Sequence, residues 1–337
     1  MSGIFVYAIN AVLPIILLIL LGYILKQTGF IGDGFLKSGN KLVFRVGLPA
    51  LLFYNVYNVS GLGDINWSIV WFALISIFVL FGVGMLEACV FVKDKRRKGV
   101  VLQCAFRSNY AIIGVSLAEA LGGGEGVAVT AILSAFVVPT FNILAVVALS
   151  IFTGEGGEHT SVKGILRRIA TNPLIIGVVS GLVALALREV IPAGADGKPL
   201  FSLAGDLTFI YKAIESLSKL ASPLALIILG GQFVFSAAGR MIKEIILGTV
   251  SRVALAPLLG LGSALLLTRF GILDFGGAEF TALIALFCTP VAVSSAIMAG
   301  EMGSDEQLAG QYVVWTSLCS MLTIFAAVVV LRSFGAL

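Results

Sequence analysis

Long apolar runs constrain this chain more than any other feature of its sequence. Several uninterrupted runs reach the roughly 20 residues that an α-helix needs to cross a bilayer. Of the 337 residues, 59% are hydrophobic and 12% are charged, whereas soluble domains carry about 25% charged residues. The runs are continuous and lack the alternation that is typical of a transmembrane β-barrel. The sequence therefore predicts an all-α polytopic membrane protein.

Ten of these runs are predicted as transmembrane spans. No cleavable signal peptide is expected, because the first run has no basic segment before it and is long enough to be a span itself. The predicted limits of the spans are residues 4–26, 38–58, 67–92, 99–121, 126–152, 170–190, 208–236, 243–268, 278–300 and 308–333.

The distribution of lysine and arginine predicts the orientation of the chain. If the N-terminus lies outside, thirteen of these residues fall in cytoplasmic loops and six on the outer side. This positive-inside bias favours an outer location for both termini, with the basic run "KDKRRKG" at 93–99 as the strongest cytoplasmic anchor. The net charge of +4 is therefore interpreted as topology information, and no nucleic-acid partner is expected.

Segments in the first half of the chain match segments in the second half. A shift of 181 residues places "AEALGGGEGVAVTAILSA" on "AGEMGSDEQLAGQYVVWT", and it also brings Ser108 onto Thr289 and Asn109 onto Pro290. Different loop lengths explain why other pairs need other shifts: 159 residues take Pro14 to Pro173, and 174 take Pro49 to Pro223.

The repeat predicts two halves of five spans each. Because five is odd, the second half must enter the membrane from the opposite side, and such inverted repeats are common in secondary transporters. Scaffold and transport domains would each be built from both repeats. The predicted division is a first repeat at 1–152, a cytoplasmic link at 153–169 and a second repeat at 170–337.

Polar residues interrupt the fourth and the ninth span at matching positions. The break in the fourth span contains Arg107, Ser108 and Asn109, and the break in the ninth contains Thr289 and Pro290. Ser, Asn and Thr favour helix N-caps, and proline favours the first helical position. We therefore predict two half-helices that restart near the membrane midplane, where their N-termini form a carboxylate site.

Arg107 is a further candidate for this site, because an arginine inside a span is costly and is a functional candidate by default. Structural alternatives remain open at this point. In the first alternative, the Arg107 side chain extends to the surface of the inner leaflet. In the second, Pro290 only kinks its helix. In the third, Ser108 and Asn109 form hydrogen bonds with a neighbouring helix.

The chain resembles bacterial members of the auxin efflux carrier family over nearly its full length. Each motif is loose, but their order and spacing together are fairly specific. The supporting segments are "LPIILLILLGYILKQTGFI" at 13–31, "NKLVFRVGLPALLF" at 40–53, "FRSNYAIIGVSL" at 106–117, "NPLIIGVVSGL" at 172–182, "ASPLALIILGGQF" at 221–233, and the stretch from "TPVAVSSAIMAGEMGSDEQLAG" to "WTSLCSMLTI".

This resemblance implies crossed broken helices, a homodimer and organic-anion transport by an elevator-like movement. Plant relatives export the indole carboxylate auxin, and bacterial relatives are linked to malonate and other small carboxylates. The chain keeps the family's asparagine at Asn109 without the preceding proline, and it keeps a proline at Pro290 followed by Val291 instead of an amide. The family's second-span contact region falls on Pro49 and its apolar neighbours Leu48 and Leu52.

The fold expected here is similar to that of the sodium–bile-acid symporters. Those proteins use a Ser-Asn pair in the fourth span, which Ser108 and Asn109 would match. The ninth span offers Thr289, Ser294 and Ser295 but no carboxylate near its break. Sodium-coupled transport of an organic anion is therefore kept as an alternative.

A few other polar residues lie in apolar spans. Asn142, which follows Pro139, is a further candidate for substrate binding, and Glu119 and Gln232 are candidates for ion coupling. Glu87 is expected to form an interfacial ion pair with Lys93 or Arg96. Arg45 and Arg252 are expected to snorkel or to pair.

No cofactor, metal site or catalytic residue is predicted. The four cysteines lie in apolar runs without metal-ligand spacing, and His159 is the one histidine. No nucleophile–base pair is visible, so an intramembrane enzyme is disfavoured. The expected function is transport of small mono- or dicarboxylates, such as malonate or auxin-like acids, in the cytoplasmic membrane of a prokaryote. A channel and a membrane ligand sensor are the remaining alternatives.

Overall fold

A computed structural model describes residues 2–58, 66–152, 166, 167, 169–191, 201–234 and 237–337. These residues are almost entirely helical, and among them the extended backbone is limited to short breaks with one isolated bridge between Ser108 and Val291. The predicted all-α class is therefore confirmed. Most of the predicted link at 153–169, including His159, lies outside the described residues.

Two pairs of helices are joined by a π-helical turn, and a third π-helical turn leads into the helix Val115–Ile151. The α-helices are α1 (Ser2–Gln27), α2 (Asp33–Leu42), α3 (Leu48–Tyr57), α4 (Trp67–Phe91), α5 (Lys95–Phe106), α6 (Val115–Ile151), α7 (Pro173–Val190), α8 (Leu203–Asp206), α9 (Thr208–Gln232), α10 (Ala237–Arg240), α11 (Ile242–Val250), α12 (Ala256–Arg269), α13 (Gly277–Phe287), α14 (Ser294–Glu301) and α15 (Glu306–Ser333). The π-helical turns are Val43–Gly47, Tyr110–Gly114 and Ser251–Leu255.

Five helical segments in the described part of the chain are long and apolar enough to cross a membrane. Shorter apolar helices accompany them, and large apolar side chains such as Trp71 (60% exposed) and Leu86 (64%) point away from the protein. Hydrocarbon is the environment that such faces require, so the chain is a multi-pass membrane protein. The five segments are Trp67–Phe91, Leu117–Ile151, Thr208–Gln232, Ile242–Arg269 and Glu306–Ser333.

Proline explains two of the π-helical turns. The turn Val43–Gly47 precedes Pro49, and the turn Ser251–Leu255 precedes Pro257. A proline has no N–H and its ring clashes with the carbonyl four residues earlier, so the helix widens locally without ending. The Val253 carbonyl, which Pro257 leaves without a helical donor, accepts instead from Oγ1 of Thr323 at 2.8 Å.

The predicted fourth and fifth spans meet in a reversal within α6. Gly123 has φ 56° and ψ −147°, a conformation that favours glycine. The Tyr110 hydroxyl donates to the Thr130 carbonyl at 3.1 Å. In a straight helix, 20 residues would span about 30 Å, so the chain must fold back on itself at Gly123.

Glycines bring two pairs of helices into backbone contact. Between α1 and α9, a Cβ added to Gly22 would lie 2.0 Å from the Ile227 carbonyl oxygen. Between α3 and α7, a Cβ added to Gly181 would lie 3.1 Å from the Phe53 carbonyl oxygen. Small residues permit such close approach, which is the main packing device of membrane helices.

Ion pairs join three helices at the end of the molecule that carries the basic run 93–99. The Arg97 guanidinium lies 3.0 Å from carboxylate oxygens of both Asp305 and Glu244, which ties α5 to α15 and α11. Arg96 donates to the carbonyls of Gly303 and Ser304.

Glu87 forms no ion pair within the described residues, so its predicted pairing with Lys93 or Arg96 is wrong. The reason is that Arg96 is held by the backbone of the turn before α15. Glu87 instead lies beside the Ser251 hydroxyl of the neighbouring helix.

The contact between α1 and α9 can be tested by adding one methyl group. Gly22→Ala should destabilise the protein by about 1–3 kcal/mol, because the methyl group would clash with the Ile227 backbone. Gly82→Ala is the matched control, since Gly82 also lies in a helix but faces open space. The measurement is the thermal unfolding midpoint of the two variants in detergent, and equal midpoints would contradict the packing described.

Candidate functional site

The two predicted breaks lie against each other in the interior of the protein. α5 ends at Phe106 and α13 ends at Phe287, and the extended residues that follow pair at an antiparallel bridge between Ser108 and Val291. The Asn109 N–H donates to the Pro290 carbonyl at 2.7 Å. We call this pairing of residues 107–109 with 289–292 the crossover.

The local structure of the second break differs from the prediction. Thr289 and Pro290 were expected to cap and begin a half-helix, but α14 begins at Ser294. The Thr289 hydroxyl donates back to the Ala285 carbonyl at 2.9 Å, in the preceding helix. The cause is the crossover itself, because the pairing with Asn109 holds residues 290 and 291 extended.

The first break restarts close to the predicted position. The Asn109 carbonyl accepts from the Ile113 N–H at 3.0 Å, so helical structure begins directly after Asn109. The Nδ2 atom of Asn109 is buried and has no hydrogen-bond partner in the described part of the chain, which leaves the amide nitrogen available. The capping role of the Asn109 side-chain oxygen stays a prediction.

A cavity of about 40 Å³ lies beside the crossover. Most of its polar lining residues belong to the two breaks or contact Arg107, and most of the other lining residues are apolar. The polar lining residues are Arg107, Ser108, Asn109, Asn142, Ser222 and Ser294. The remaining lining residues are Leu48, Leu51, Leu52, Ala111, Ile112, Val138, Phe141, Leu174, Ala225, Ala292 and Val293.

The Arg107 guanidinium points into the protein and is 3% exposed, so the alternative that it snorkels to the membrane surface is wrong. Nη2 donates to Oδ1 of Asn142 and to Oγ of Ser294, both at 2.9 Å. Nη1 lies 2.7 Å from the sulfur of Met298, and a thioether is a weak acceptor. Within the described residues, no carboxylate lies within ion-pair distance of Arg107.

Two further donors at the cavity lack partners. The Ser108 hydroxyl and the Asn109 amide nitrogen are buried and make no hydrogen bond with any residue that the structure describes. A buried polar group without a partner costs about 1–3 kcal/mol, so such groups usually mark a ligand or water position. Together with Arg107, they give the cavity three adjacent side-chain donors.

The reversal at Gly123 is what brings Asn142 to the site. Asn142 lies 35 residues after Arg107, yet its Oδ1 atom accepts from the guanidinium. The Asn142 amide nitrogen donates to the Val138 carbonyl at 2.8 Å, which fixes the oxygen towards Arg107. The predicted candidate Asn142 therefore does lie at the cavity.

Other predicted site residues do not line the cavity. Thr289, Pro290 and Val291 form the crossover backbone behind it, and the Val291 N–H donates to Oγ1 of Thr316 at 3.1 Å. Pro49 packs against Gly177, whereas its neighbours Leu48 and Leu52 line the cavity.

The two candidates for ion coupling also lie away from the cavity. Glu119 is exposed. Gln232 lies near Glu306 at the start of α15, and its carbonyl accepts from Nε2 of Gln307 at 3.0 Å. A coupling role for either residue stays a prediction, but neither contacts the crossover.

Sequence reasoning missed the role of Arg252. It was expected to snorkel or pair, but it is 0% exposed and donates to backbone carbonyls at both breaks. The signal was present, because an arginine in an apolar span is a functional candidate by default. No group of three or more His, Cys, Asp and Glu side chains in the described part of the chain is placed to hold a metal ion.

Discontinuous helices that cross in the interior of a multi-pass protein are a building plan of secondary transporters. The profile of the membrane transport protein family matches residues 7–327, and the chain belongs to this auxin efflux carrier-like family. An uncharacterized transporter of Methanothermobacter thermautotrophicus is 24% identical over 334 residues, which cover 95% of this chain and 97% of the relative. An uncharacterized transporter of Methanocaldococcus jannaschii is 24% identical over 321 residues, which cover 94% and 96%.

The reversal that positions Asn142 predicts a sharp difference between adjacent glycines. Gly123→Ala should destabilise the protein by about 1–3 kcal/mol, because a side chain is strained at this φ and ψ. Gly124→Ala is the control, since Gly124 faces open space and has no positive φ. Thermal unfolding of both variants in detergent checks this, and similar midpoints would argue against the reversal at Gly123.

Proposed function

We propose that this protein is a secondary transporter of small organic anions and that Arg107 binds their carboxylate. The observation that carries the proposal is the buried Arg107 guanidinium, which faces a cavity and has no carboxylate partner in the described part of the chain. A buried charge is costly unless it is paired, so an anion from outside the chain is the expected partner.

The neighbouring donors support a carboxylate as the ligand. Ser108 and Asn109 each offer a hydrogen that no atom in the described part of the chain accepts. The N-terminus of α14 reaches the cavity through Val293 and Ser294, and helix N-termini present free N–H groups and a partial positive charge. A planar group with two negative oxygens suits these donors, whereas a cation would meet them unfavourably.

The opposite side of the cavity favours one charge per substrate. Leu48, Leu51, Leu52, Leu174 and Ala225 form a mostly apolar wall from α3, α7 and α9, in which Ser222 is the one polar lining residue. A second carboxylate would lie against this wall with the Ser222 hydroxyl as its one side-chain donor and with no cation, which is costly. We therefore infer that a monocarboxylate with an apolar body binds better than a dicarboxylate such as malonate.

Two glycine contacts support ten spans arranged as an inverted repeat. A shift of 159 residues takes Gly22 to Gly181, and a shift of 174 takes Phe53 to Ile227. In the structure, Gly22 contacts the Ile227 carbonyl and Gly181 contacts the Phe53 carbonyl. The two shifts that align prolines in the sequence therefore also superimpose the contact between α1 and α9 on the contact between α7 and α3.

The same contacts favour an elevator mechanism. We assign α1, α3, α7 and α9, which approach through glycines, to a fixed frame that presents the apolar wall. We assign α5, α11 and α15, joined by Arg97, to a moving part that carries the crossover. The cavity between them holds only a few water molecules at about 40 Å³, so the two parts must separate to admit a substrate.

The setting of this transporter completes the proposal. We infer a homodimer in the cytoplasmic membrane of a prokaryote, with both termini outside. The charged groups around Arg97, Glu244 and Asp305 collect at one end of the molecule, as expected for the cytoplasmic side. Three modes of energy coupling remain alternatives: uniport without a driving ion, coupling to protons, and coupling to sodium as in the bile-acid symporters.

Removal of the Arg107 charge should weaken carboxylate binding without lowering the stability of the protein. Arg107→Gln should weaken carboxylate binding at least about tenfold, because a charge-assisted contact contributes about 1.5–3 kcal/mol. The thermal midpoint of the free protein should stay unchanged or rise, since no buried carboxylate loses its partner. The measurement is thermal stabilisation of purified protein by indole-3-acetate, lactate, malonate and succinate, followed by flux in proteoliposomes.

Arg45→Gln is the matched control, because Arg45 is exposed and does not line the cavity. Equal carboxylate affinity and flux in the Arg107 and Arg45 variants would overturn the proposal. Binding without flux would indicate a ligand sensor, and currents far above carrier turnover would indicate a channel. Uptake that requires a sodium gradient would favour the symporter alternative.

A further inference from the structure

Arg252 binds the backbone of both broken helices from one side. It lies in the π-helical turn Ser251–Leu255 and is fully buried. Nε donates to the Thr289 carbonyl at 3.1 Å, and Nη1 donates to the Phe106 carbonyl at 3.3 Å. Nη2 donates to the carbonyls of Leu286 and Phe287 at 3.0 and 2.7 Å.

Three of these four carbonyls lie at helix ends, and the fourth, that of Thr289, lies in the extended segment after α13. Phe106 is the last residue of α5, and Leu286 and Phe287 are the last two of α13. The last carbonyls of a helix lack intrahelical donors and form the negative end of its dipole. In the described part of the chain, Arg252 has no carboxylate partner, so its charge faces two negative helix ends.

The chemistry of arginine fits this position better than that of lysine. A guanidinium offers five N–H donors in a rigid planar fork, which can reach carbonyls of two separate helices at once. The ammonium of lysine is a compact point charge with three donors. A lysine could therefore keep the charge but not all four contacts.

We propose that Arg252 is the positioning residue of the crossover, which sets how the two broken helices meet and thereby places the anion donors. Ser108 and Asn109 follow Phe106 by two and three residues, and Val293 and Ser294 follow Thr289 by four and five. Arg252 does not line the cavity, so it acts on the substrate only through these segments. The placement of anion donors rests on the proposed function, whereas the geometry of the crossover does not.

The first experiment measures the crossover without any substrate. In a variant whose native cysteines Cys89, Cys104, Cys288 and Cys319 are replaced by alanine, Ser108→Cys and Val291→Cys are introduced together. Residues paired across an antiparallel bridge have Cα atoms about 4.5–5.5 Å apart, which suits a disulfide. Oxidative crosslinking should be efficient with Arg252, reduced in Arg252→Lys and at least about fivefold lower in Arg252→Gln.

A second cysteine pair distinguishes positioning from general unfolding. Val56 and Leu185 pack together between α3 and α7, away from Arg252. Crosslinking of Val56→Cys with Leu185→Cys should be the same in all three Arg252 backgrounds. Unchanged crosslinking of the crossover pair, or an equal loss in both pairs, would overturn the proposal. If Arg252→Gln does not yield folded protein, the comparison of Arg252 with Arg252→Lys decides.

The second experiment links the crossover to anion binding. Indole-3-acetate is the probe, and the readout is its dissociation constant for the full-length protein with Arg252, Lys or Gln at this position. We expect the affinity to fall at least about tenfold in Arg252→Gln, with a smaller loss in Arg252→Lys. If crosslinking falls while affinity stays constant, the link to the site is wrong. If the wild type binds no carboxylate, the proposed function fails while the crosslinking result on Arg252 stands.

Discussion

The arrangement at the centre of this protein follows from one requirement, which is that backbone groups released inside a membrane need partners other than water. Four of the carbonyls at the two breaks are bound by Arg252. The released N–H of Asn109 is bound by Pro290, in the other break. In the described part of the chain, the buried side-chain groups at the cavity that lack partners are the Ser108 hydroxyl and the Asn109 amide nitrogen, and both can donate. The free cavity is therefore suited to a ligand that accepts hydrogen bonds.

The two halves of the chain contribute to the site unequally. Their backbones break at matched positions, and each half supplies one strand of the crossover. The charge comes from the first half through Arg107, while the second half supplies Ser294 and the N-terminus of α14. The apolar wall comes from helices of both halves. Two similar backbone breaks therefore contribute different side chains to one cavity, which is charged at Arg107 and mostly apolar towards α3, α7 and α9.

The sequence was informative where the cause of a structure is local. Run length predicted the helices, and polar residues inside apolar runs predicted both breaks and the candidates Arg107, Ser108, Asn109 and Asn142. It was uninformative where the cause lies far along the chain. The break after Phe287 extends to Ser294 because residues 290 and 291 pair with a segment about 180 residues earlier. Arg252 binds a carbonyl 146 residues away, and no spacing within its own span indicates that contact.

Arg107 also gives the proposed transport cycle an electrical direction. With no carboxylate beside it, the empty site carries one positive charge more than the site that holds a monocarboxylate. Moving one elementary charge through 100 mV changes its energy by about 2.3 kcal/mol. In a cell with a negative interior, the voltage draws the positively charged empty site towards the cytoplasm. The loaded site carries one positive charge less, so the voltage opposes its outward movement less than it would oppose that of the empty site. For uncoupled transport of a monocarboxylate, the membrane potential therefore favours net export of the anion over its uptake.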